Sequence, residues 1–421
     1  MRTTDLLKPY LEDDALRSTN FFNGRLLTAE DLRREQAVRR EWERRLGDAI
    51  GDGIAFGLDV DRTDVADGEP PTVTVTAGAA INREGHMILL RHAVEVSLRE
   101  GTGAIDAPTG PPSAFGACVP SQRTVYVANA GVYLLAVRPL RAREGTARVS
   151  GLGNAGAPCA ADALVDGLQF RILQVPLTPA ELLGGNLLRN RVGSQFLWTR
   201  DDVPVRDPFG ASTAASPYDL LRPEPLAACD VPLALIHYQG RGVAYVDRWA
   251  VRRMLAGSPA RAGWLLPERR RWNEGAAAIL QFQDHLDALW TPFAPQVRLR
   301  DHFEKLPPAG VVPLGGSGAT AGFDHPRLFD GLTTRGPAYV EGARVGSLLE
   351  RAAWFPPIDV SSREVVWLYF VRENGRARDT GAGVRRYLIF TSGHVPYQAD
   401  AHFDLAKFDY ANYALGRDSD H

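Results

Sequence analysis

Asn20-Phe21-Phe22-Asn23-Gly24-Arg25-Leu26-Leu27-Thr28-Ala29-Glu30-Asp31-Leu32-Arg33-Arg34-Glu35-Gln36 sets an aromatic pair, a tight turn, an apolar step and a helix start within seventeen residues. Asn-Gly is the strongest two-residue turn signal, because both residues tolerate positive φ. Thr28 is a good N-cap, and Asp31 three residues later completes a capping box with Asp in the place of Glu or Gln. Glu30 and Asp31 fall in the positive first turn of the helix dipole, with Arg33 and Arg34 behind them. No catalytic chemistry is visible in this stretch. It reads as a device for docking an N-terminal arm.

Upstream of it, residues 1–20 form a polar, irregular arm. Downstream, one long helix is predicted from Thr28 to about Ile50, with Leu32, Val38, Trp42, Leu46 and Ala49 at near-helical spacing. Gly51 and Gly53 supply its stop. Arg33, Arg34, Arg39, Arg40, Arg44 and Arg45 alternate with acids on the remaining faces, the pattern of a solvated or salt-bridged surface.

From Ile54 the period changes to two. Thr72–Thr76, Ala79–Ile81, Met87–Leu90 and Val94–Leu98 read as strands, with a turn at Asn82-Arg83-Glu84-Gly85. After a Gly/Pro-rich stretch from Gly101 to Pro120, strands are predicted at Thr124–Val127, Val132–Val137 and near Phe170–Val175, with a short helix after Pro179. The polar, proline-rich segment Trp198–Ala228 reads as a long loop. Val231–Tyr238 and Val243–Asp247 make a hairpin, Trp249–Arg253 begins a helical passage, and a second long helix spans about Glu268 to Trp290. Its stripe of Trp272, Ala276, Ile279, Gln283, Leu286 and Trp290 belongs to a core or a subunit contact. Beyond Pro292, Glu364–Val371 and Arg385–Phe390 read as a second hairpin.

The chain therefore divides into an N-terminal arm and charged helix (1–53), a small antiparallel β module (54–100), a β-rich middle domain with long loops (101–258), a helical connector (259–294) and a C-terminal β-rich domain (295–421). The fold class is α+β: arm and long helix, antiparallel β modules, a second long helix, and a separate C-terminal β-rich domain.

Composition narrows the function. A formal net charge of −2 argues against a nucleic-acid binder driven by counterion release. Lys8, Lys305 and Lys407 are the only lysines; this arginine bias suits bidentate interface contacts and is equally the mark of a GC-rich genome. Cys118, Cys159 and Cys229 are few, odd in number and far apart, which predicts a reducing compartment with neither a disulfide scaffold nor a zinc site. No apolar leader and no 18-residue apolar run is present, so the expectation is a soluble protein made in the cytoplasm without a signal peptide.

The search for chemistry returns little. Gly151-Leu152-Gly153-Asn154-Ala155-Gly156 matches a dinucleotide fingerprint by letter, but Pro158 follows at once and no strand-to-helix setting surrounds it. Gly315-Gly316-Ser317-Gly318-Ala319 misses the nucleophile elbow at its last position. His394, Asp400, His402 and Asp404 lie close in sequence, yet without a recognised metal-ligand spacing; an interface rich in aromatics and Asp, continued by Phe408, Tyr410 and Tyr413, is the better reading. Asp301-His302 and Asp324-His325 read as surface or capping pairs. Trp354, Trp367, Tyr369 and Tyr397 read as the core of a small β domain, with a carbohydrate site as the alternative. The expectation is no enzyme, no cofactor and no metal.

The opening segment, Phe-Phe-x-Gly-Arg-Leu-Leu-Thr-Ala-Glu-Asp-Leu followed by a Glu-Gln helix, resembles proteins encoded with contractile phage tail-like particles, the extracellular contractile injection systems. The likeness continues through Gly57-Leu58-Asp59-Val60, Val73–Ile81 and Gly85–Leu90, and through Val231–Ile236 with Tyr245–Arg253. It covers roughly residues 18–255 and stops short of the region beyond Pro295. The resemblance implies a structural subunit near the baseplate or another tail terminus, partnered by other particle subunits and by copies of itself, and assembled into a particle released from the cell. The docking residues expected are Phe21, Phe22, Asn23, Gly24, Arg25, Leu26, Leu27, Asp31 and Trp42. A glycan- or surface-binding role for the C-terminal domain, with membrane or glycan contact, is the alternative; a metal-dependent hydrolase ranks below both.

Overall fold

The capping signals at Thr28 start a helix where they predict one. In the computed structural model, which describes residues 16–63, 71–98, 129–145, 147–148, 159–160, 162–198, 221, 225–239, 242–255, 267–290, 294–315, 322–372 and 386–395, helix α1 spans Ala29–Ile50. The Thr28 hydroxyl accepts from the Asp31 N–H, and the Asp31 carboxylate accepts from the Thr28 N–H in return. Gly51 closes the helix at φ 106°, its N–H donating to Gly47 O.

Behind α1 come two small antiparallel sheets. Strands β1 (Gly53–Gly57), β4 (Gly78–Ile81) and β5 (Met87–Leu90) form one, in the order β1-β4-β5. Strands β2 (Val60–Arg62), β3 (Thr72–Val75) and β6 (Val94–Ser97) form the other, in the order β2-β3-β6. Inward residues of both, among them Ile54, Leu58, Val60, Val73, Val75 and Ile88, are buried in one core.

That core is closed by a third sheet. Strands β7 (Gly131–Glu144), β8 (Ala147–Arg148), β9 (Cys159–Ala160) and β10 (Ala163–Gln174) make a long ribbon, with β11 (Val231–Tyr238) and β12 (Val243–Asp247) completing the order β10-β7-β11-β12. Tyr133, Leu135 and Val137 of β7 face the small sheets. Val132, Leu134 and Ala136 face the opposite way, onto α3 (Leu188–Leu197), which follows the four-residue helix α2 (Pro179–Leu182). With both faces covered, Val132–Val137 is buried throughout, which explains its unbroken apolar run. Asn82 and Arg83 latch the small sheets to the segment before β11 by donating to the carbonyls of Cys229, Leu226 and Ala227. Cys229 is disulfide-bonded, a linkage that the wide cysteine spacing did not anticipate.

The helical passage expected at Trp249–Arg253 does not form; the segment is a bend. The Asp247 carboxylate accepts from the N–H groups of Trp249 and Ala250, which diverts the backbone from a helix. The chain then bridges β1, through Ile54 N–H to Arg253 O and Leu255 N–H to Ile54 O.

Helix α4 (Pro267–Ala288) leads into the C-terminal unit: β13 (Lys305–Leu306), β14 (Ala309–Leu314), α5 (His325–Leu328), β15 (Thr333–Glu341), α6 (Val345–Ala352), β16 (Ile358–Asp359), β17 (Val365–Arg372) and β18 (Arg386–Thr391). Its sheet runs β14-β18-β17-β15. The expected β17–β18 hairpin is antiparallel, while β15 and β17 are parallel, joined by the crossover that contains α6. The whole is a mixed α+β protein, as the periodicities imply.

α1 sits on the β module through two glycines. A Cβ on Gly47 would stand 2.0 Å from Gly85 O, and one on Gly85 would stand 2.2 Å from Arg44 O. We expect Gly47→Ala to destabilise this contact by about 1–3 kcal/mol, through overpacking against backbone. Hydrogen exchange along α1 will register it as lost protection, with the strands of the middle sheet unchanged.

Candidate interaction surface

Helix α1 is apolar on the side that faces away from the protein. Its buried residue is Gly47, whereas Trp42 is 64% and Leu46 63% exposed. At 3.6 residues per turn, Leu32, Trp42, Leu46 and Ile50 fall within roughly 80° of one another. Gly47, Arg40 and Arg44 lie on the adjoining face, roughly 60–120° round the helix from Ile50, against the β module. The Arg44 and Arg45 guanidiniums hydrogen-bond Glu41 and hold its carboxyl down at about 2. The charged face is thus a salt-bridged surface as read, and the apolar stripe is free.

Residues 16–28 fold back along α1 as a hook. The Thr19 N–H donates to Glu35 Oε2 and the Thr19 hydroxyl to Asp31 O, which places the hook on the side of the helix that carries the apolar stripe. The Asn23-Gly24 turn is present, with Gly24 at φ 90° and the Arg25 N–H donating to Phe22 O at 3.2 Å. Arg25 ties the tip down by donating to Asn20 O at 2.8 Å and to Asp31 at 2.6 Å. Hydrogen bonds from Thr28, with that of Arg25 adding to them, keep the Asp31 carboxyl below its ordinary range. On this scaffold Phe21, Phe22, Leu26 and Leu27 project with 52, 62, 90 and 54% of their surface exposed. Four large apolar side chains held outward on one tip, continued by the stripe of α1, are the mark of an interaction site rather than of scattered surface hydrophobes.

On the opposite side of α1 a groove of about 950 Å³ separates the helix from β5 and the β7–β10 ribbon. Met87, Leu89, Leu140 and Phe170 line it beside Arg40 and Arg44. The ribbon beyond Val137 is paired on one edge by β10 and extends past the end of β11. Neither groove nor ribbon was foreseen; Pro139 and the charged run Arg138–Glu144 masked the strand continuation.

The other candidate residues scatter. His394 packs its ring on Trp367 at 4.5 Å, and Arg335 lies 5.9 Å over the same ring. Tyr369 is in the core, its hydroxyl accepting from the Val395 N–H. Asp400, His402, Asp404, Tyr397, Phe408, Tyr410, Tyr413 and Gly151–Gly156 lie outside the described residues, as does most of the Gly315–Ala319 run. Asp301 pairs with Arg298, and His325 stands edge-on to Phe370. No cluster of His, Cys, Asp or Glu able to hold a metal occurs among the described residues. No helix among them is long and apolar enough to cross a membrane.

A buried polar seam joins the middle unit to the C-terminal unit, and sequence reading missed it. Asp247, fully buried, accepts from Gln281 Nε2 at 2.6 Å and faces Arg189 Nε at 3.6 Å. Asp284 accepts from Arg248 and from the Trp249 indole; Asn190 bridges to Glu304 and Lys305; Arg191 pairs with Glu304. The one available signal was Asp247-Arg248-Trp249-Ala250-Val251-Arg252-Arg253, a run with four charged residues at the end of an apolar hairpin. Arg252 from this run is buried and donates to Gly57 O, Leu58 O and Asp59.

Compared with known proteins, the chain matches no family model and no curated protein.

Proposed function

We propose that the chain is a structural subunit of a contractile, phage tail-like injection particle, docked through its N-terminal arm and helix to neighbouring subunits at the baseplate periphery. One observation carries the reading: an apolar hook and helix stripe are held outward by hydrogen bonds and a glycine contact, and their large side chains stay exposed among the described residues. Helix α1, 22 residues and so about 33 Å long, is a mounted handle. The resemblance of Phe21–Gln36 to particle-encoded proteins supplies the setting.

The test is co-expression with the products of the neighbouring genes, followed by purification of particles. Phe22→Ser/Leu26→Ser/Leu27→Ser changes exposed side chains and is expected to leave stability within about 0.5 kcal/mol of the parent. The same variant, and a chain lacking residues 1–27, are expected to be missing from the particles. Normal incorporation of either folded variant overturns the reading.

A further inference from the structure

We propose that the seam between the middle unit and the C-terminal unit is an acid-operated latch, released when His285 and His302 take up protons beside Arg189. The proposal does not depend on the particle reading.

The geometry is a crowd of bases with its acids already engaged. His285 on α4 is 7% exposed; its ring lies 4.6 Å from Phe303 and stands edge-on to His302 at 6.4 Å. Arg189 enters from α3, its guanidinium 5.7 Å over the Tyr245 ring of β12. Asp247 on β12 is occupied by Gln281, by two backbone N–H groups and by Arg189 itself. Asp284 on α4 is occupied by Arg248 and Trp249, and Asp301, next to His302, by Arg298. Glu304, beyond Phe303, is bonded to Arg191. A second or third cation in the seam therefore meets carboxylates that are already paired, Asp301 alone acting to favour the charged form of His302.

The sign of the effect follows from the two histidines. Burial, with Arg189 and His302 adding to it, holds His285 down to about 3, against 6.5 when exposed, and burial lowers His302 in the same direction. The closed seam is fully favoured above pH 6.5 and loses ground as the pH falls from there toward 3, because the open form binds the proton first. For His285 alone this raises the open fraction about 30-fold between pH 7.5 and pH 5.0. His302 acts in the same sense.

Hydrogen–deuterium exchange of the full chain at pH 7.5 and 5.0, corrected for intrinsic rates, tests the latch. The expected result is a loss of protection of about 30-fold or more at pH 5.0 in α3 and residues 299–306, with β14, β18, β1 and β4 still protected. His285→Gln/His302→Gln is expected to keep its protection at pH 5.0; His302→Gln, which touches the less buried ring, is expected to retain part of the pH response. Equal protection of wild type at both pH values overturns the proposal. So does simultaneous loss across both cores, which is global acid unfolding, or an undiminished pH response in the variant that folds.

Discussion

Replacement of Asp247 by alanine is expected to lower the unfolding free energy by about 3–5 kcal/mol, the range for removing one partner of a buried ion pair. The carboxylate is fully buried, accepts from three donors and faces one cation: the N–H groups of Trp249 and Ala250 at 3.1 and 3.0 Å and Gln281 Nε2 at 2.6 Å donate to it, and Arg189 Nε stands 3.6 Å away as its ion-pair partner. Alanine leaves three donors without their acceptor and the Arg189 cation without its ion-pair partner. Asp247→Asn keeps an acceptor for the backbone turn and loses the charge opposite Arg189, so its loss is expected to be about 1–3 kcal/mol. Urea titration at pH 7.5 measures both. Adding Arg189→Met to Asp247→Ala removes the stranded cation and is expected to recover part of the loss. A purely additive double variant would mean that the two side chains do not act as a pair.

The contrast between hook and seam explains what sequence could and could not reveal. The hook is local: its turn, cap and exposed tip are set by residues within a few positions of one another, so Asn23, Gly24, Thr28 and Asp31 declare it directly. The β11–β12 and β17–β18 hairpins were legible for the same reason, each being an apolar run folded back on its neighbour. The orientation of α1 was not legible. An apolar stripe at helical spacing says that one face shuns water, and only the Gly47–Gly85 contact shows that a neighbouring face is the one docked. Arg189, Asp247, Gln281, His285 and His302 belong to four separate stretches of the chain and share no spacing that a linear pattern could expose. Trp249–Arg253 misled because its residue types permit a helix, while the Asp247 carboxylate captures the backbone N–H groups needed to begin one.

The same geometry makes α4 the beam between the two units, and Phe282 its strongest attachment to the second. Phe282→Ala is expected to cost about 3–5 kcal/mol, the range for truncating a buried aromatic ring. The side chain is 1% exposed, its ring 5.1 Å from Phe303 and edge-on to Phe390 at 5.2 Å. Gly310 lies directly beneath: a Cβ there would stand 2.7 Å from Phe282 Cε1 and 2.5 Å from Phe390 Cε1, so the ring rests on bare backbone. A strand and two further aromatic rings cannot close over the vacated volume without breaking their own packing, which puts the loss in the upper part of that range. Phe282→Leu, which refills part of the space, is expected to lose less than half as much. Gln281 and His285 sit on the neighbouring faces of the same helix and hold the seam. Loss of Phe282 is therefore expected to expose α4 to hydrogen exchange together with β14 and β18, while the core shared by the small sheets and the middle sheet keeps its protection. If that first core opens as well, the two units unfold as one body and α4 is a shared core helix rather than a beam.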